Sequence, residues 1–290
     1  MGQKTNASLF RLGLKNSEWN YKYLEKNSEE STNYMYKSFE INKYINIIFK
    51  RYQLRVHSCK IEYTLDSTNL IIIFYNSKNK LNLIEDYLQK HRLDLKNKTF
   101  KHQLFILIKT IVTPCLNNYL NNKTINIKTK NINQNFETQL KENKHQFIEY
   151  KKFLTLFRRF LRNPWQKELI KILILCVFEK NSSKFLADYI AFCLLKQKKR
   201  HNYLLFILKK SLNNLIYLNF SKVKGIKIMI SGRLNGAPRS RSKILNIGNT
   251  PLQSIDCSIN YATSTAYTPN GTLGIKVWMH YKIINYVFTT

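Results

Sequence analysis

The residues best placed to do chemistry lie together in Lys224–Ser242, which reads Lys-Gly-Ile-Lys-Ile-Met-Ile-Ser-Gly-Arg-Leu-Asn-Gly-Ala-Pro-Arg-Ser-Arg-Ser. Arg233, Arg239 and Arg241 stand among Gly232, Gly236 and Pro238, with Lys227 before them and Lys243 just after. Guanidinium forks and freely approaching main-chain N–H groups are the combination that holds phosphate. A solvated hairpin end that is merely basic has the same local composition, so the rest of the chain has to decide. The element that must position these groups is written in the first half of the stretch. Ile226, Ile228 and Ile230 alternate with Lys227, Met229 and Ser231, the period of two of a half-buried strand.

Further cations accompany this stretch. Lys4 and Arg11 lie on a short, Gly-punctuated N-terminal segment, and Lys196, Lys198, Lys199 and Arg200 form a run before the strand. Lys151, Lys152, Arg158, Arg159 and Arg162 are interleaved with Phe153, Phe157 and Phe160. Those rings could stack on bases, but their helical spacing favours a core face. In all, 48 Lys and Arg stand against 17 Asp and Glu, a net charge of +31 that asks for a polyanionic partner. From Tyr189 to Thr290 the single carboxylate is Asp256.

Hydrolytic and metal-dependent chemistry needs clustered carboxylates or His, and these are missing. Asp66, Asp86, Asp94, Asp188 and Asp256 are scattered, with no DxD and no HExxH. Cys59, Cys115, Cys176, Cys193 and Cys257 are widely spaced and odd in number, which suits small core residues better than disulfides or a zinc site. The expectation is binding without catalysis, with no catalytic residue, metal or cofactor. The longest apolar run, Ile172–Phe178, is far short of the ~20 residues of a membrane span.

Along the chain, residues 1–30 read as a basic arm. A helix is expected over about Tyr34–Arg51, capped by Ser31 or Asn33. Leu54–Tyr63 and Asn69–Tyr75 suggest a hairpin or paired strands, and Leu81–Leu88 a short helix. Phe100–Val112 suggests a helix ended by Pro114, and Thr124–Thr129 a strand. Residues 131–181 read as a helical insertion. From 182 to 290 two helices precede the basic strand, then a strand over Leu252–Tyr261, the turn Thr268-Pro-Asn-Gly271 and a strand over Thr272–Tyr281. The C-terminal part is thus an α+β layer of two helices on an antiparallel sheet.

Several pieces carry a resemblance in order and spacing. Met1-Gly-Gln-Lys-Thr-Asn6 with Leu9-Phe-Arg-Leu-Gly-Leu14 and Trp19-Asn20 opens the chain. Lys224–Ala237, Pro251-Leu252, Asp256 with Ile259-Asn-Tyr261, and Gly271-Thr-Leu-Gly-Ile-Lys-Val-Trp278 close it. Together they resemble the universal small-subunit ribosomal protein S-three family (uS3). The resemblance implies a ribonucleoprotein constituent of the small subunit head that serves translation. It binds small-subunit rRNA, neighbours ribosomal proteins S-ten and S-fourteen, and lines the mRNA entry channel. On this reading Lys4, Arg11, Lys227, Arg233, Arg239, Arg241 and Lys243 are rRNA contacts. Lys198, Lys199 and Arg200 face incoming mRNA. No membrane is implied.

The family also implies a type II KH domain, here over residues 31–130. A KH domain holds RNA with a GxxG loop, whereas Asn76-Ser-Lys-Asn-Lys80 stands at that place, and no glycine occurs between Gly13 and Gly225. A degenerate, KH-like fold is therefore expected. The motif's start at Met1 leaves no room for an import peptide, and the Asn-, Ile- and Lys-rich drift suits an organelle-encoded mitochondrial protein better than a plastid one. Two other readings stay open: a nucleic-acid-processing lyase or nuclease, and an extraribosomal RNA-binding regulator.

Overall fold

The computed structural model describes residues 5–12, 19–27, 29–52, 54–64, 67–76, 111–120, 124–158, 160, 163–197 and 201–282. They fall into two units, one of residues 18–135 and one that joins residues 1–17 to 136–290.

The first unit is one long helix on a mixed sheet. Helix α1, Glu30–Arg51, turns Ile41, Ile45, Ile48 and Phe49 inward at helical steps. Strands β2 (Arg55–Tyr63) and β3 (Ser67–Tyr75) form the expected antiparallel hairpin. Their register sets Cys59 opposite Ile72 and Ile61 opposite Leu70, and these four join the core of α1. A two-residue strand, β1 (Tyr21–Lys22), lies parallel to β2 at one edge. At the other edge β4 (Thr124–Asn131) runs parallel to β3 and lays Ile125 and Ile127 on the core.

Two local expectations are corrected in this unit. Helix α1 starts at Glu30, with Glu29 in the cap position and no side-chain cap bond, so neither Ser31 nor Asn33 caps it. Pro114 does not end a helix; it sits in the first turn of α2, Thr113–Tyr119, which continues past it, and residues 100–110 of the expected helix lie outside the described residues. The expected helix over Leu81–Leu88 and residues 77–80 of the KH-loop position lie outside the described residues.

The second unit begins within helix α3 (Ile132–Glu142), followed by α4 (Lys144–Leu156) and α5 (Pro164–Phe178). Ile172–Phe178 is buried on all sides, the behaviour of a core helix. Phe136 of α3 meets Phe178 of α5 edge-on at 5.0 Å, which ties the helical stretch into the unit's core. Helices α6 (Ser183–Lys196) and α7 (His201–Ile216) follow and cover one face of a four-stranded antiparallel sheet. Its strands are β5 (Val223–Gly232), β6 (Arg241–Gly248), β7 (Ile259–Thr268) and β8 (Gly271–Tyr281), in the order β6-β5-β8-β7.

The expected α+β layer is there, with two differences. Strand β6 lies where no strand was expected, between the basic stretch and Leu252, and it is at an edge, where charged residues are tolerated. The strand expected over Leu252–Tyr261 starts at Ile259 instead. Residues 249–258 cross from one edge of the sheet to the other, and the small Ala262 and Ala266 face the helices in β7.

Candidate nucleic-acid interface

The basic loop is the tip of the β5–β6 hairpin. Gly232 pairs with Arg241, so only Arg233–Ser240 are free of the ladder. A 3-10 turn, Leu234–Gly236, inserts Leu234 into the protein and puts Asn235 and Gly236 at φ of 57° and 77°. Asn is among the few side chains that accept that left-handed region, and Gly does so freely.

Asn235 then grips the start of α7 in two directions. Its side-chain oxygen accepts the His201 backbone N–H at 2.9 Å, and its own backbone N–H donates to His201 Nδ1 at 3.1 Å. Nδ1 must be unprotonated to accept, and burial lowers the His201 pKa below its ordinary value, in the same sense. The tip is therefore held by a helix terminus. Arg233 Nε donates to the Ala237 carbonyl at 2.9 Å and braces the turn from within. Arg239 and Arg241 stand exposed beyond it.

Among the described residues the other expected contacts are not gathered on one surface. Lys243 faces the helix side of the sheet, two pairs along from Arg241, and its Nζ donates to Asn202 Oδ1 at 2.5 Å. Lys227 is on the opposite face, over the Trp278 ring at 5.5 Å. Lys4, Lys198, Lys199 and Arg200 lie outside the described residues.

Arg11 is corrected. It is only 6% exposed, and its guanidinium donates to the carbonyls of Ala7 at 2.9 Å, Leu252 at 2.8 Å and Ser254 at 2.6 Å. A group so engaged fixes the arm to the crossover and has little left for phosphate. Ser8 Oγ adds a second tie by accepting the Tyr261 N–H at 2.8 Å.

The Phe-rich patch behaves as core. Phe153 and Phe157 are buried and stacked at 4.7 Å, with Phe160 at 5.8 Å from Phe157. Lys151, Lys152 and Arg158 remain exposed. Among the described residues no lysine is buried, so the desolvated amine that a Schiff-base lyase would use is not among them. The Asn235–His201 clamp was not expected; its one local signal was Asn-Gly, a pair suited to positive φ.

A family model for the ribosomal protein S3 C-terminal domain matches residues 207–279, from the middle of α7 to the end of β8. Over these residues the chain is similar to the uS3 family. Its similarity to small ribosomal subunit protein uS3c of Cyanidioschyzon merolae is 53% identity over 60 residues, 21% of this chain and 29% of that one. The uS3c of Tupiella akineta is 35% identical over 140 residues, 48% of this chain and 51% of its own. The uS3 of Fusobacterium nucleatum is 55% identical over 58 residues, 20% and 26% respectively. This chain thus covers about half or less of the length of these relatives. The expectation of a mitochondrial protein is overturned: relatives as similar as these include several uS3c proteins, the plastid form, which favours a plastid over a mitochondrion.

Proposed function

We propose that this protein is a structural constituent of a plastid small ribosomal subunit that binds small-subunit rRNA and neighbouring ribosomal proteins. The observation that carries the reading is the hairpin tip. Two exposed arginines, Arg239 on the turn and Arg241 at the start of β6, stand beside a tip clamped to a helix terminus, in a chain whose last hundred or so residues hold one carboxylate. Such a device contributes position: it fixes register on an RNA backbone and reads no sequence. Uniform positive charge on an otherwise stable fold is a cost that a phosphate partner relieves. The finer placement, in the subunit head beside ribosomal proteins S-ten and S-fourteen and the mRNA entry channel, is part of the same proposal. So is the KH-like character of the first unit, supported by its helix, hairpin and parallel third strand.

Arg239→Ala with Arg241→Ala tests the reading. Both side chains are exposed, so melting should not change. Affinity for small-subunit rRNA should fall, and the slope of log K against log salt should shrink by about 1 to 2, one contact per arginine. Sucrose gradients should place the wild-type chain with small subunits and leave more of the double variant in the free pool. Normal incorporation of the variant, with an unchanged salt slope, would remove the tip from the interface.

A further inference from the structure

The face of the C-terminal sheet turned away from α6 and α7 has a composition that phosphate contact alone does not explain. Register sets Asn246, Lys227, Trp278 and Tyr261 in one row straight across β6, β5, β8 and β7. Their strand neighbours Ile226, Ile228, Val277 and Met279 are fully buried on the other side. Within the row the Tyr261 and Trp278 rings are 5.1 Å apart and tilted by 34°, and Lys227 Nζ is 5.5 Å from the Trp278 centroid. The next row brings Ile244, Met229, Lys276 and Thr263 to the same face, with Ile244 51% exposed. The row after that, Ser242, Ser231, Gly274 and Thr265, has only small side chains. At the opposite end the 249–258 crossover forms a wall. Its Asn249 carbonyl is 2.8 Å from His280 Nδ1, and Arg11 holds it from behind.

A sheet face that only meets water is expected to be polar. This one carries a half-buried tryptophan, tyrosine and methionine beside an exposed isoleucine, which marks a partner surface. Charge selects the partner. The strands contribute Lys227 and Lys276 and no carboxylate, and the arginine tip continues from the end of the same sheet. Half-buried aromatic rings beside lysines on an uncovered sheet face suit a ligand with flat faces and a negative backbone.

We propose that this face binds unpaired nucleotides of an RNA single strand. Bases stack against the Trp278–Tyr261 pair, while Lys227 and Lys276 take the adjoining phosphates and the small-residue row leaves room for the strand to pass. The proposal rests on the RNA-binding reading above and assigns it a second, base-contacting surface distinct from the tip.

The experiment uses the full chain with Trp19→Phe and Trp165→Phe, so that Trp278 is the only tryptophan. Titration with a nine-nucleotide oligouridylate should quench its emission to saturation, and a duplex of the same length should not. In the otherwise unaltered chain, Trp278→Leu should weaken oligouridylate binding about tenfold. The salt slope should stay the same, and Trp278→Phe should recover most of the loss. The quenching measurement keeps Trp278 in place, so it decides the matter even if Trp278→Leu fails to fold. Salt-dependent RNA binding with no quenching overturns the stacking surface and leaves the tip as the RNA contact. No binding of either RNA overturns both readings. Shielding of Trp278 only when other small-subunit proteins are added assigns the face to a protein, and likewise overturns the proposal.

Discussion

The guanidinium of Arg11 donates to three backbone carbonyls, two of them more than two hundred residues away in sequence. Hydrogen bonds from a charged donor to partly buried acceptors are individually strong, and losing the donor leaves the Ala7 carbonyl, the buried one of the three, without its partner. Arg11→Ala should therefore destabilise the second unit by on the order of 2–3 kcal/mol, read as a drop in melting temperature of roughly 5–10 °C. Protease sensitivity of the N-terminal arm should rise with it. RNA affinity measured well below the new melting point should keep its salt slope, because no phosphate contact is lost. Arg239→Ala should do the reverse, changing affinity and leaving melting alone. Two arginines of similar appearance in the sequence thus separate by experiment into a brace and a contact.

At the scale of elements, the path of the β6–β7 connection depends on two missing side chains, at Gly225 and Gly248. Gly225 and Gly248 are opposite each other in the ladder, and the chain turns back over them at Asn249. A Cβ on Gly225 would overlap the Asn249 backbone, which cannot swing aside as a side-chain end could. Gly225→Ala should lift the crossover off the sheet at a cost of about 2 kcal/mol or more, measured by denaturant unfolding. Amide exchange should speed up along 249–258 and not in α6. The same element carries the Arg11 acceptors, so the two substitutions share a target, and their effects should combine less than additively.

Over the whole molecule, each described unit holds a histidine kept neutral by its surroundings. In the first unit burial pushes His57 down to about 4, and in the second burial lowers His201. The unfolded chain takes up these protons near the ordinary histidine value of about 6.5, before the folded state does. Stability is therefore full above that pH and is lost as pH falls toward about 4 for the first unit. Melting temperatures measured from pH 7 to pH 4 should decline through this window, and the ring-proton titration of His57 should have its midpoint near 4. A midpoint at the ordinary value would mean that the ring is more open to water than its place in β2 implies. Protonation of His201 would also remove the acceptor that Asn235 uses, so the arginine tip should loosen in acid before the sheet unfolds.

What the sequence determined by itself is what local pattern and composition can carry. The phase of β5, the turn at Pro269-Asn270 and the hairpin of β2 and β3 follow from alternation and turn chemistry within a few residues. The expectation of a polyanionic partner follows from charge, and the resemblance to the uS3 family from motifs at the two ends. The tertiary structure decided which cations are available. Arg11 became a brace because carbonyls of a distant crossover converge on it, and Lys243 turned toward Asn202 because its register with Ile230 puts it on the helix side. Strand β6 exists only through pairing with β5, so its own weak pattern could not announce it. The Trp278–Tyr261 row is likewise a product of register across strands far apart in sequence. Charge is a property of composition and survives any reading of the chain, whereas the direction in which a side chain points is set by pairing across distance.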